Sequence, residues 1–314
     1  MDALTKALSK AMDDKSPTAI AVSVAAVGVS AFLLKKLIFS PGYKKEKQVV
    51  LITGASSGIG KKAALDFIQK GHIVYGAARR VDKMQDLVAA GGHALAVDVG
   101  NDEQVDAAVK KVIAEQKRID VLINNAGYAV YGSVEDITME EARRQFDVNI
   151  FGLARLTKEV LPYMRAANSG TIINTSSMGG KIYTPYGSWY HATKHALEGF
   201  SDCLRLELKQ FGINVVIVEP GAIRTEFGAV MMPPLIERSK GGPYEASVNK
   251  YAENAGPMES SGSDPKVISD VMLEAATSKK PKRRYLVGKY ANEFCFIRNW
   301  FGDAALDAIL LNMM

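Results

Sequence analysis

The sequence predicts an α/β domain: a doubly wound sheet of about seven parallel strands, helices on both faces, with an N-terminal hydrophobic helix before it. Three observations carry this expectation. From Gln48 onward, short apolar runs alternate with longer amphipathic segments. The first run leads straight into a glycine-rich stretch, TGASSGIG at 53–60. Ahead of that alternation stands SPTAIAVSVAAVGVSAFLL, 16–34, which has no charged residue.

The N-terminal stretch comes first. At about 1.5 Å per residue its length just crosses a hydrocarbon core. Its Ala, Val and Ser content makes it a marginal span compared with a Leu-rich one. We expect a tail at 1–15, a transmembrane anchor at 16–40 and a basic linker at 41–47. Two other readings stay open. One is a signal peptide cut near Val29-Ser30-Ala31, against which the long preceding segment and Asp2, Asp13 and Asp14 argue; the other is a segment lying at the membrane surface. Lys6, Lys10 and Lys15 precede the stretch, and Lys35, Lys36, Lys44, Lys45 and Lys47 follow it. By the positive-inside rule the folded domain faces the cytosol, on the endoplasmic reticulum or a similar membrane.

The expected strands are VVLIT (49–53), HIVYGAA (72–78), HALAV (93–97), IDVLIN (119–124), GTIINTS (170–176), INVVIVE (213–219) and RYLVG (284–288). Their β-branched content and short length favour strand over helix. Between them, NDEQVDAAVKKVIAEQK (101–117) and WYHATKHALEGFSDCLRLELKQF (189–211) are amphipathic at helical spacing. Alternation of this kind builds a parallel sheet covered on both faces, here over 48–314.

Composition narrows the function. Hydrophobic residues make up 47% and charged ones 23%, enough to bury one large core. Cys203 and Cys295 lack CxxC spacing and suit a reducing compartment. The net charge is +5. Its basic runs, at 35–36, 44–47 and 279–284, have no interleaved aromatics, so no nucleic-acid partner is expected.

The glycines of TGASSGIG remove side chains where a backbone must approach a pyrophosphate, and the following helix would point its free N–H groups there. Further on come NNAG at 124–127, Ser176-Ser177, Tyr190-x-x-x-Lys194 and PGAIRT at 220–225. In this order and spacing the motifs resemble the short-chain dehydrogenase/reductase family, over roughly 48–290. The resemblance implies a Rossmann-type fold, a nicotinamide cofactor and hydride transfer.

Within WYHATKHALEGF (189–200), two pairs compete. Residues four apart share a helical face, so Lys194 can hold its ammonium beside the Tyr190 phenol and favour the phenolate. Acid–base work near neutral pH asks the phenol to shift by roughly two to three units from about 10. His191 and His195 have metal-ligand spacing, but Ala192 stands where a metalloprotease helix has Glu, and no third ligand is evident. We therefore expect no metal. In reduction, Tyr190 would give its proton to the carbonyl oxygen. The resemblance adds Ser177 as a hydrogen-bond donor to that oxygen, Lys194 on the nicotinamide ribose, and Asn149, in FDVNIFG, supporting a proton relay.

Cofactor choice is read after the second strand. An NAD enzyme usually carries Asp or Glu there; this chain has Ala78 and then Arg79 and Arg80. Guanidinium groups bind a 2′-phosphate, so NADP(H) is expected, with Arg79 favoured. The resemblance implies further contacts from Gly54, Ser56, Ser57, Gly58, Ile59 and Gly60. It also implies Asp98 and Val99 at the adenine, Asn125, Ala126 and Gly127 along the trough, and Pro220, Gly221, Ile223 and Thr225 at the carboxamide and phosphates.

Tyr128, Val130, Met178, Tyr186 and Trp189 are expected around the hydride acceptor. A variable lid is expected over about 227–263, with Met231, Met232 and Leu235 on its apolar side. The apolar C-terminus, with Trp300 and Phe301, could close the pocket, pair with another subunit or touch the bilayer. With an anchor present, the expected substrate is a lipophilic ketone or aldehyde of steroid, retinoid or acyl-lipid type. Oxidation of a lipid alcohol, or NADPH binding without turnover, are the alternatives. A homodimer or homotetramer would form through helices at 138–167 and 188–211.

Overall fold

The computed structural model describes residues 47–314. The expected tail, the anchor at 16–40 and residues 41–46 of the linker lie outside the described residues. No helix among the described residues is long and apolar enough to cross a membrane.

All seven expected runs become strands, with ends shifted by at most two residues. They are β1 Val49–Thr53, β2 Ile73–Ala78, β3 His93–Ala96, β4 Val121–Asn124, β5 Gly170–Thr175, β6 Ile213–Pro220 and β7 Arg284–Val287. They form one sheet in the order β3-β2-β1-β4-β5-β6-β7, every neighbouring pair parallel. The helices are α1 Gly58–Gln69, α2 Gln85–Ala89, α3 Asp102–Gln116, α4 Met139–Phe146 and α5 Leu153–Ala166. After β5 come α6 Ser188–Leu208, α7 Phe227–Ser239, α8 Glu245–Ser260, α9 Lys266–Thr277 and α10 Ala291–Leu311.

Alternation along each strand explains the two helical layers. Val49 and Leu51 of β1 pack with Val109 and Val112 of α3, Leu156 and Val160 of α5, and Leu204 of α6. Val50 and Ile52, pointing the other way, pack with Ala63 and Phe67 of α1 and with Ile268 and Met272 of α9. Phe67 is fully buried, and its truncation to Ala should cost about 3–5 kcal/mol. This is a Rossmann-type fold.

β1 is flanked by β2 on one side and β4 on the other. The chain leaves these strands in opposite directions, which opens a crevice beyond their carboxyl ends. Thr53 Oγ1 braces this point by accepting the N–H groups of Asn125 and Ala126, both at 3.0 Å.

Two expectations about helices change. The long helix expected over 138–167 is α4 and α5 joined by a π-helical turn, Asp147–Gly152. Thr138 starts it with a capping box: Thr138 Oγ1 accepts Glu141 N–H at 3.2 Å, and Glu141 Oε2 accepts Thr138 N–H at 3.1 Å. The expected lid is mostly helical, formed by α7 and α8. Its Met231 and Leu235 are buried against Tyr131, Val248 and Tyr251, so they belong to a core of their own.

Candidate active site

The glycine-rich turn is built by close approach. Gly54 has φ +70, in the left-handed region, and a Cβ there would lie 2.9 Å from Asn125 Nδ2. A Cβ on Gly60 would lie 2.4 Å from both Asn125 Nδ2 and Gly54 O. Gly60 therefore lets α1 pack onto the strand ends, and it is not on the cleft wall as expected. Ser57, at the N-cap of α1, makes no side-chain cap bond, and the first turn holds no acidic residue. The helix thus presents unsatisfied N–H groups and its positive end to the crevice.

Apart from Gly60, every residue expected to contact a dinucleotide lines one cavity of about 500 Å³. At one end Arg80 Nη2 donates to Ser57 Oγ at 3.1 Å and lies 3.5 Å from Glu226 Oε2. Arg79 is exposed on the same wall. Asp98 Oδ1 accepts Gly100 N–H at 3.0 Å, and its Oδ2 accepts from Arg144 at 2.7 Å. Partial burial pushes the Asp98 carboxyl up, but those two donors and the charges of Arg144 and Arg79 outweigh it and hold its pKa low.

Tyr190 and Lys194 sit one turn apart on α6, and both line the cavity. Lys194 Nζ lies 5.8 Å from the Tyr190 ring centroid and donates to Thr175 O at 2.9 Å. Burial pulls the Lys194 ammonium down to about 8, against the charge of Glu198, so at neutral pH it stays mostly protonated. Ser177 caps a short 3-10 turn, Met178–Gly180; its Oγ accepts Gly179 N–H at 3.0 Å, which leaves the hydroxyl proton to donate into the cleft. Ser176, behind it, is buried.

The structure places Asn149 between the segment after β4 and α6. Its Oδ1 accepts Tyr128 N–H at 3.1 Å, and its Nδ2 donates to Tyr128 O at 2.9 Å and to Thr193 Oγ1 at 3.1 Å. The side chain ties the segment after β4 to α6 and does not reach the cavity wall. The π-helical turn is what presents it there.

His191 and His195 diverge. His191 is buried, with Nδ1 against Gly179 O at 2.9 Å and Nε2 accepting Thr184 N–H at 3.0 Å. That pattern fixes a neutral ring protonated on Nδ1, and burial pulls its pKa down to about 4. His195 is exposed. Among the described residues no group of three His, Cys, Asp or Glu is arranged to hold a metal.

Beyond Tyr190 the cavity turns apolar. Of the residues expected around the acceptor, Tyr128 and Met178 line it. Val130 and Trp189 instead pack with Ile137 and Ala142, while Tyr186 donates to Ser247 at 2.7 Å and rests on Tyr251. Their places are taken by Phe227, Val230, Met231, Tyr251, Ala255, Met258, Phe294, Leu310 and Met313. Six of these, Phe227 to Met258, lie in the lid expected over 227–263, and three lie in the apolar C-terminus, but Met231 is the one that sequence names individually. Leu310 and Met313 show that the C-terminus contributes to the pocket wall, whereas Trp300 and Phe301 stay exposed.

Comparison with known proteins agrees with this geometry. The family model described as short chain dehydrogenase matches residues 48–233. A 3-ketodihydrosphingosine reductase of Bacteroides thetaiotaomicron is 47% identical over 182 residues, 58% of this chain and 66% of that protein. The crystal structure of a short-chain dehydrogenase from Streptomyces avermitilis superposes with TM-score 0.70 at 35% identity, covering 85% of this chain and 95% of that one. The closed form of a serine dehydrogenase complexed with NADP+ superposes with TM-score 0.66 at 27% identity, covering 77% and 94%. The chain belongs to the short-chain dehydrogenase family, whose members are oxidoreductases acting on alcohol and keto groups.

Proposed function

We propose that the protein is an NADPH-dependent reductase of a lipophilic ketone or aldehyde. The observation that carries this is the junction at Tyr190: Ser177 and Lys194 beside it, the glycine-rich turn on one side, an apolar pocket on the other. NADPH would supply the hydride. The chain's own residues fit that cofactor: Gly54 lets the backbone approach, α1 offers N–H groups to phosphates, and Arg79 and Arg80 suit a 2′-phosphate. Ser177 and Tyr190 hold the substrate carbonyl oxygen by hydrogen bonds, and Tyr190 gives it a proton. Lys194, a buried cation at neutral pH, favours the phenolate left on Tyr190. Asn149 holds α6 in register with the segment carrying Tyr128. Phe227, Tyr251, Phe294 and Leu310 exclude water and accept an apolar chain.

The name of the Bacteroides relative supports a long-chain keto lipid as substrate class. The uncharged stretch at 16–34 and its following lysines support attachment to a membrane with the domain facing the cytosol. If full-length protein and a 41–314 truncation partition equally into the soluble fraction, the attachment fails.

The central test is Tyr190→Phe. Consumption of NADPH with long-chain ketones should drop by about 10²–10⁴ in kcat while NADPH binding is retained. Full turnover by the variant would remove Tyr190 as the acid.

A further inference from the structure

Lys194 is buried, and the hydrogen bond its ammonium makes goes to a neutral backbone carbonyl, Thr175 O. A buried cation is costly unless a counter-charge stands near it. One helical turn further along α6 is Glu198, also buried. Helical side chains lean toward the N-terminus, so Glu198 covers the turn that carries Lys194. Both residues flank Gly180, where an added Cβ would lie 3.0 Å from Glu198 Cγ and 3.0 Å from Lys194 O.

Glu198 does not stand alone. Buried Glu219, at the end of β6 just before Pro220-Gly221, joins it through shared cations. Lys181 Nζ, from the segment after β5, lies 2.8 Å from Glu198 and 3.7 Å from Glu219. Arg284 Nε, from β7, lies 3.2 Å from each carboxylate, and its Nη2 lies 2.5 Å from Asp202 on α6. Asp202 is itself shared with Arg205 at 3.2 Å. From α10, Arg298 and Cys295 complete the surroundings; burial pushes the Cys295 thiol up to about 11, so it is uncharged. Lys181 and Arg284 reach in from half-exposed positions, so water screens part of their charge.

We propose that the Glu198–Glu219 pair is the counter-charge that keeps the proton on Lys194, so that Tyr190 and not Lys194 is the first of the two to ionise. This rests on the reading of Tyr190 as the acid. Glu198 is then a positioning residue acting through Lys194. Burial and the neighbouring Glu198 raise the Glu219 carboxyl to about 7, so Glu219 can take up a proton near neutrality. Without the counter-charge, the proton lost as pH rises comes from the desolvated ammonium, and the phenol stays protonated.

The test is a tyrosinate absorbance titration of the full-length protein. Subtracting the Tyr190→Phe titration from the wild type isolates the Tyr190 signal. Glu198→Gln should move that signal upward by about one pH unit or more, roughly tenfold less tyrosinate at a given pH, and Glu198→Asp should leave it in place. If Glu198→Gln does not fold, Glu219→Gln should shift the signal in the same direction by a smaller amount. An unmoved signal in the folded Gln variant overturns the counter-charge while leaving the Tyr190 reading intact. Identical titrations of wild type and Tyr190→Phe overturn both.

Discussion

On the proposed NADP(H) reading, replacing Arg79 and Arg80 by Ala should separate NADPH from NADH. Both guanidinium groups lie on the cleft wall and are exposed, so a 2′-phosphate there is met by charge that water partly screens. Unit charges about 4 Å apart attract by roughly 1 kcal/mol in water and about 4 kcal/mol at an effective dielectric of 20. For half-exposed groups the lower end applies, about 1–2 kcal/mol each, or roughly five- to thirtyfold in KM. Arg80 is already engaged, by Ser57 Oγ at 3.1 Å and Glu226 Oε2 at 3.5 Å, so its share should be the smaller. The same geometry makes Glu226 a competitor for Arg80, and Glu226→Gln should lower KM for NADPH by a few fold. The assay is initial-rate kinetics with each coenzyme at saturating ketone. KM for NADPH should rise steeply in the double Ala variant while that for NADH scarcely moves. An equal rise for both coenzymes refutes the assignment of these arginines to the 2′-phosphate.

Three further outcomes follow from packing and charge. Leu310→Ala removes a buried side chain packed on Ile182 and Leu306 that also lines the pocket; a loss of about 2–5 kcal/mol by denaturant unfolding is expected, with KM rising for long-chain ketones and not for short ones. Gly60→Ala drives a methyl into Gly54 O and should cost about 1–3 kcal/mol, seen as a lower melting temperature and weaker NADPH binding. His191 ionises in the unfolded chain near 6.5 but only near 4 when folded, so the unfolded state binds more protons between those values. Stability therefore falls as pH drops from 6.5 toward 4, by roughly 3 kcal/mol from this group. Glu219, with its raised pKa, contributes in the opposite sense between 4.5 and 7, so the comparison is wild type against His191→Gln at matched pH. A variant with an unchanged slope would show that His191 does not titrate this way.

Sequence alone determined the architecture, because it is written in local terms. β-branched runs of strand length, the turn at 53–60 and the helical spacing of 190 and 194 are properties of adjacent residues, and all reappear within a residue or two. The residues expected to contact a dinucleotide come to one cavity for the same reason: most cluster at the ends of β1, β2, β4 and β6. Tertiary structure alone decided the rest. Tyr186 and Trp189 look like pocket residues by proximity to Tyr190, and Val130 by proximity to NNAG, but a side chain's direction depends on which neighbours bury it. The lid segment and the C-terminus were marked as pocket walls by sequence, but which of their side chains face the cavity was not, since the wall reaches as far as Met313, 188 positions from Asn125, and no spacing rule connects them. Asn149 was found by position, yet its hydrogen bonds to Tyr128 and Thr193 exist only where the π-helical turn meets α6. The buried pair Glu198 and Glu219 likewise looks like two unrelated acids until β6 is laid beside α6, since electrostatic coupling depends on distance in space and not along the chain.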